Sequence, residues 1–202
     1  MDSATPPRLY FAYGSNLSPT QMSHRCPSAT PVGLAHLPNY TFIINSRRYA
    51  NVVRNDAAAA APLPTPTSAP GVYGVLYTLP PDDEAVLDRC EGVPHAYQKQ
   101  HLTVNVVTAT TAGTAVNLET GSKVTALVYV DTERTEPSTP WDEYVDRMNR
   151  GVDEATELFG LPQAYVDQVI RPYITAPPPP SFRPGASGVG AQDIEDPFLK
   201  RV

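Results

Sequence analysis

The chain has 202 residues, of which 41% are hydrophobic, enough for one domain with a buried core. The formal net charge is −6, and no basic run supplies the positive face that nucleic-acid binding needs. No apolar stretch is long enough to span a bilayer. We therefore expect neither a nucleic acid nor a membrane as a partner.

The N-terminus lacks the charged-then-apolar pattern of a secretion signal, so we expect a cytoplasmic protein. Cys26 and Cys90 lie far apart and form no CxxC pair, which favours two reduced thiols over one disulfide. The four histidines show no metal-ligand spacing, and no phosphate-binding glycine motif is present. The sequence thus predicts no metal and no other cofactor.

The first predicted elements are a strand over 8–13 and a short helix over 18–26. Between them, residues 9–17 read LYFAYGSNL, an apolar run that stops at Gly-Ser-Asn. Ser18, three residues before Gln21, predicts a capped helix start. Unpaired N–H groups at such a start attract anions or a polarised carbonyl oxygen. On local chemistry alone, an ordinary strand-to-helix turn is an equal alternative.

The middle of the chain is predicted to consist mainly of strands. Apolar runs over 32–37 and 40–44, separated by Pro38-Asn39, predict a hairpin. Further strands are predicted over 50–53, 71–79, 97–107 and 124–130. A helix follows Pro80-Pro81, with acidic residues in its first turn and an end at Gly92. The Ala- and Pro-rich residues 56–69 predict a flexible loop inside the domain.

The last predicted elements are helices. Apolar residues from Trp141 to Phe159 recur at three- and four-residue steps, which predicts an amphipathic helix, and a shorter one follows over 165–173. We therefore expect a disordered segment 1–7, a domain over 8–175 and a Pro/Gly-rich tail over 176–202. Hairpin-joined strands with added helices indicate an α+β fold with a mostly antiparallel, barrel-like sheet.

The run YFAYGSNL at residues 10–17 resembles the opening signature of the γ-glutamylcyclotransferase-like superfamily. The resemblance, which extends over about residues 8–173, implies a small mixed, mostly antiparallel β-barrel flanked by helices. It also implies an enzyme that closes a γ-glutamyl group into 5-oxoproline and releases the attached amine or amino acid. The substrate contacts implied in this turn are Tyr13, Gly14, Ser15, Asn16 and Leu17, and the backbone N–H groups of the last four would hold an oxyanion or the glutamyl carboxylate.

A second segment, Glu91-Gly92-Val93 with Tyr97 six residues after Glu91, resembles the catalytic-glutamate segment of the same family. The resemblance implies that Glu91 is the catalytic residue and that Tyr97 is a pocket wall or hydrogen-bond donor. The negative end of a helix dipole favours the neutral form of a carboxylate, which suits a group that takes up and returns a proton. Without the resemblance, a solvated surface charge would be the better interpretation of Glu91.

The remaining candidates have weaker support. Residues 137–140 before the long helix resemble a Ser-Pro segment of the family and imply Tyr144 as a substrate contact, although a core aromatic residue is an equal alternative. Adjacent Arg47 and Arg48 face either a substrate carboxylate or, more commonly, solvent. Cys90 is interpreted as a buried structural thiol and not as a nucleophile.

The sequence and the resemblance together predict a cofactor-free γ-glutamylcyclotransferase, a lyase or acyltransferase of glutathione metabolism. Its reaction is an intramolecular aminolysis of a small γ-glutamyl substrate. Two alternatives remain: an enzyme for a different γ-glutamyl amine or conjugate in specialised metabolism, and a non-catalytic binding module of the same fold. The oligomeric state stays open, with a homodimer among the alternatives.

Overall fold

The structure, a computed structural model, describes residues 8–55, 71–110, 116 and 118–178. The predicted segment 1–7, the loop 56–69 and residues 179–202 of the predicted tail lie outside the described residues. The strands within that part are β1 (Arg8–Ala12), β2 (Thr30–Pro38), β3 (Tyr40–Ile44), β4 (Ala50–Arg54), β5 (Gly71–Leu79), β6 (Gln98–Ala109) and β7 (Lys123–Val130).

Five of these strands close a barrel in the order β1-β5-β2-β6-β7. Neighbouring strands pair antiparallel, except that β1 and β7 close the barrel in parallel through Tyr10 and Leu127. Large apolar side chains such as Phe11, Leu34 and Leu76 are fully buried and form its core. The predicted α+β fold, a mostly antiparallel barrel flanked by helices, is confirmed.

The predicted hairpin between 32–37 and 40–44 is wrong. Both edges of β2 are occupied, by β5 on one side and β6 on the other, so β3 finds no free edge there. Asn39, with a φ of 63°, redirects the chain, and β3 pairs with β4 in a separate two-stranded sheet. This β3–β4 hairpin carries the loop 45–49 that forms one side of the pocket described below.

The helices are α1 (Pro19–Arg25), α2 (Pro81–Cys90), α3 (Asp142–Phe159) and α4 (Gln163–Tyr165), which continues in a π-helical turn at Val166–Ile170. Trp141 lies just before α3 and is 45% exposed, so its predicted place on the apolar face of that helix is wrong. Gly160, with a φ of 72°, ends α3 in a left-handed conformation. Within the described residues, the helices are too short or too polar to cross a membrane.

The predicted helix cap at Ser18 is confirmed, since its side chain accepts a hydrogen bond of 3.0 Å from the Gln21 N–H. Cys26 and Cys90 are buried and not bonded to each other, which confirms the predicted free thiols. Burial raises the pKa of Cys26 to about 12, so this thiol stays protonated at neutral pH.

Candidate active site

A pocket of about 530 Å³, counting its open mouth, lies where β1 passes into the 3₁₀ turn Ser15–Leu17. Each wall comes from a different part of the fold: β1 and its turn, the end of α2, the β3–β4 hairpin, and the first turns of α3. The lining is rich in tyrosine and arginine: Tyr10, Tyr13, Gly14, Ser15, Asn16, Arg25, Arg47, Tyr49, Ala50, Cys90, Glu91, Tyr97, Tyr129, Tyr144 and Arg147.

Glu91 caps the C-terminal end of α2 and points its carboxylate into this pocket. Its side chain is 17% exposed, so the alternative of a solvated surface charge is wrong. Its Oε1 accepts a hydrogen bond of 3.1 Å from Nδ2 of Asn16, and Nη1 of Arg25 lies 3.7 Å from the same oxygen. The structure therefore brings Glu91 and the YFAYGSNL turn together in one pocket.

The side chain of Asn16 connects Glu91 to the rest of the turn. Its Nδ2 also donates to the Tyr10 hydroxyl at 2.9 Å. Its Oδ1 accepts from Nε2 of Gln21 at 2.8 Å and from Nη1 of Arg25 at 3.3 Å. Because the amide oxygen has two donors and the amide nitrogen two acceptors, the side chain is held in one orientation. Asn16 thus fixes the position of the Glu91 carboxylate.

The backbone N–H groups of the turn are only partly available to a ligand. Leu17 N donates to the Gly14 carbonyl at 2.9 Å, and Ser15 N donates to the Tyr144 hydroxyl at 3.3 Å. Leu17 is fully buried beside Gly151 and does not line the pocket, so its predicted substrate contact is wrong. The N–H groups of Gly14 and Asn16, two residues that line the pocket, make no hydrogen bond to the described residues.

Tyr13 and Tyr97 form walls of the pocket. The Tyr13 hydroxyl donates to the Tyr129 carbonyl at 2.6 Å, and the Tyr97 hydroxyl donates to the Ala50 carbonyl at 2.7 Å. Burial raises the pKa of both phenols well above the usual 10.0. Their protons are therefore held by the backbone. This arrangement suits Tyr97 as a wall and not as a donor to substrate.

Tyr144 differs, because its hydroxyl oxygen accepts hydrogen bonds instead of donating one to the backbone. Ser15 N lies at 3.3 Å and Ala50 N at 3.2 Å, so the phenol joins the turn to the start of β4. Burial raises its pKa to about 12, which keeps the phenol protonated at neutral pH. Its own proton is left to donate to a ligand. Tyr144 is thus both a buried aromatic residue and part of the pocket lining.

Tyr144→Phe is expected to lower the free energy of unfolding by about 1–3 kcal/mol, because two buried N–H groups lose their shared acceptor. Urea denaturation of the two proteins measures the difference. Tyr40→Phe is the matched control, since that hydroxyl makes no hydrogen bond to the described residues and its loss should change little. Equal effects of the two substitutions would show that the Tyr144 hydroxyl does not fix the turn.

Arginines contribute positive charge to the pocket. Arg147 is 1% exposed, and its Nε donates to Glu143 at 2.9 Å while its Nη1 donates to the Ser15 hydroxyl at 3.2 Å. Arg47 lines the pocket, but its neighbour Arg48 does not. The Arg48 guanidinium lies 3.9 Å from the Trp141 ring centroid and donates to backbone carbonyls before α3. Only one member of the predicted arginine pair therefore faces the site.

Sequence reasoning missed the roles of Gln21, Arg25 and Arg147. Arg147 follows Tyr144 by three residues, a spacing that places both on one face of α3 and could have indicated it. Gln21 was expected only in a capping box, yet its amide donates to the Ser15 hydroxyl at 2.8 Å. Arg25 carries no comparable sequence signal.

The described residues contain no group of three or more His, Cys, Asp or Glu side chains arranged to hold a metal ion. The pocket instead offers one carboxylate among its described lining residues, next to phenols, arginines and two unpaired N–H groups. Such a set can bind an anionic small molecule and move a proton at a single position.

The family described as gamma-glutamyl cyclotransferase, AIG2-like matches residues 10–144, so the chain belongs to this family. The matched span contains the turn, Glu91, Tyr97 and Tyr144. No curated protein matches the sequence. The family assignment therefore confirms the resemblance stated from the sequence.

Solved structures share the fold. A protein described as a gamma-glutamyl cyclotransferase is 22% identical, with a TM-score of 0.63 over 96% of this chain and 98% of that chain. An uncharacterized protein from Homo sapiens is 22% identical, with a TM-score of 0.64 over 97% of this chain and 100% of its own. YkqA from Bacillus subtilis is 21% identical, with a TM-score of 0.59, over 86% of this chain and 56% of YkqA.

Proposed function

We propose that this protein is a γ-glutamylcyclotransferase, which converts a γ-glutamyl compound into 5-oxoproline and a free amine or amino acid. The observation that carries the proposal is the hydrogen bond of 3.1 Å between the Glu91 carboxylate and Asn16 of the turn. It holds the one carboxylate among the described lining residues against the turn in which the Gly14 and Asn16 backbone N–H groups make no hydrogen bond to the described residues. A carboxylate next to such N–H groups is the arrangement that the proposed reaction needs, since it could accept a proton while they bind an oxyanion.

The reaction begins with attack of the substrate's α-amine on its own γ-carbonyl carbon. Closure of a five-membered ring needs both groups held in the reactive conformation, and a pocket with tyrosine walls can hold the substrate folded in this way. Glu91 accepts the proton of the attacking amine as the new C–N bond forms. It then gives this proton to the leaving nitrogen as the old C–N bond breaks.

The carbonyl oxygen becomes negatively charged in the intermediate between these two steps. The N–H groups of Gly14 and Asn16 are the donors we assign to this oxygen, and the Tyr144 phenol is a third. Nη1 of Arg25, 3.7 Å from Oε1 of Glu91, places a positive charge beside this carboxylate. Arg25 and Arg147 also place positive charge near the turn, where the glutamyl carboxylate would bind.

The test is incubation of the purified protein with a panel of γ-glutamyl compounds, followed by mass spectrometry. The panel contains γ-glutamyl amino acids, γ-glutamyl peptides including glutathione, and γ-glutamyl amines, so that leaving groups of different chemistry are compared. We expect 5-oxoproline from at least one compound, in an amount equal to the released amine. No product from any member, despite measurable binding, would favour a binding module over an enzyme.

A further inference from the structure

Among the pocket arginines, Arg47 has a buried donor that no described residue accepts from. Its Nη1 is buried and has no hydrogen-bond partner among the described residues. The guanidinium carbon lies 5.7 Å from the Tyr97 ring centroid, which stacks the group against that wall. Arg25 and Arg147, by contrast, already donate to Asn16 and to Glu143 and Ser15.

The backbone of Arg47 is held in place by hydrogen bonds on both sides. Its N–H donates to the Asn45 side chain at 3.0 Å, and its carbonyl accepts from Nε1 of Trp141 at 3.2 Å. Arg48 stacks on the same Trp141 ring. A buried guanidinium nitrogen without an acceptor, such as Nη1 of Arg47, is costly unless a ligand supplies the acceptor. Arg47 therefore has the properties of a ligand-binding residue, and its charge calls for an anion.

The position of Arg47 in the pocket indicates which anionic group of a substrate it would bind. Arg25 and Arg147 are hydrogen-bonded to the turn, whereas Arg47 belongs to the β3–β4 hairpin on another side of the pocket. A γ-glutamyl amino acid carries two carboxylates, one on each side of the reacting amide. Under the proposed function the glutamyl carboxylate binds at the turn, so the second carboxylate is the one that Arg47, on the hairpin side, is placed to accept.

We propose that Arg47 is a specificity-determining residue that binds the carboxylate of the leaving amino acid. The inference rests on the proposed function, and it narrows the substrates to γ-glutamyl compounds whose leaving group carries a carboxylate next to the amide nitrogen. Simple γ-glutamyl amines, which lack this group, would leave the Arg47 donor unpaired and are expected to be poor substrates.

The test compares γ-glutamyl-alanine with γ-glutamyl-ethylamide, which differs only by loss of the carboxylate. Wild type should favour the alanine compound in kcat/KM, and Arg47→Gln should lower kcat/KM about 10- to 100-fold for that compound, with little change for the ethylamide. Arg47→Lys keeps the charge but loses the forked geometry, so its kcat/KM for γ-glutamyl-alanine should lie between the values of wild type and Arg47→Gln. Arg54→Gln, exposed at the far end of the same hairpin, should change neither value.

A binding measurement separates this inference from the proposed function. Calorimetry in a Glu91→Gln background should show tighter binding of γ-glutamyl-alanine than of the ethylamide, and Arg47→Gln should abolish that preference. If wild type cyclises neither compound but this preference is present, the proposed function fails and the carboxylate site stands. The role of Arg47 would be overturned if Arg47→Gln lowered kcat/KM equally for both compounds. It would also be overturned if the Glu91→Gln protein bound both compounds equally well.

Discussion

Glu91→Gln is expected to lower kcat by at least about 10²- to 10⁴-fold, the usual contribution of general acid–base catalysis. The amide keeps the shape of the side chain and can still accept the hydrogen bond from Asn16, but it cannot take up and return a proton. The fold should persist, and the thermal midpoint should change by no more than a few degrees. Steady-state kinetics and a thermal melt of the same preparation measure both quantities.

The matched control is Glu157→Gln, because Glu157 is exposed on α3 and lies outside the pocket lining. It carries the same change of charge, and its kcat should equal that of wild type. Activity of Glu91→Gln close to that of this control would remove Glu91 from the mechanism. A large fall in the melting temperature of Glu91→Gln alone would instead assign the carboxylate a structural role.

A substrate acetylated at the glutamyl α-amine is expected to give no product. The α-amine is the proposed nucleophile, and acetylation withdraws the lone pair that would form the new C–N bond. The amide nitrogen that results keeps one N–H but is a very poor nucleophile, so deprotonation by Glu91 cannot start the attack. A hydrolase that uses water as its nucleophile would be far less sensitive. The measurement is mass spectrometry of the reaction mixture, with the unblocked compound run in parallel as the control. Release of acetylglutamate from the blocked compound would contradict cyclisation.

Much of the fold could be predicted because it depends on local sequence patterns. The strand ending in Gly-Ser-Asn, the Ser18 cap and the three- and four-residue apolar spacing along α3 each depend on neighbouring residues. The pairing of β3 could not be predicted in this way. Adjacent apolar runs predict a hairpin whether or not other strands of the barrel occupy both edges of β2. Strand pairing is decided by the whole sheet.

In the candidate site, too, some features could be predicted from the sequence and others could not. The motif indicated Glu91 and the turn, which the fold brings within hydrogen-bonding distance although they are far apart in sequence. The motif marked Asn16, but the contacts of its side chain with Arg25, and those of Arg147 with the turn, form only after folding. Arg25 in particular carries no local pattern. Leu17 belongs to the motif for a packing reason, because it is buried beside Gly151 of α3.

The most direct test of the central claim is the origin of the oxygen in the product. The reaction is run in water labelled with oxygen-18, using a γ-glutamyl substrate that the protein consumes. The mass of the product is then measured by mass spectrometry. Attack by the α-amine predicts 5-oxoproline without label, because no water enters the reaction. Glutamate carrying one labelled oxygen would show that water is the nucleophile and would contradict the proposed cyclisation.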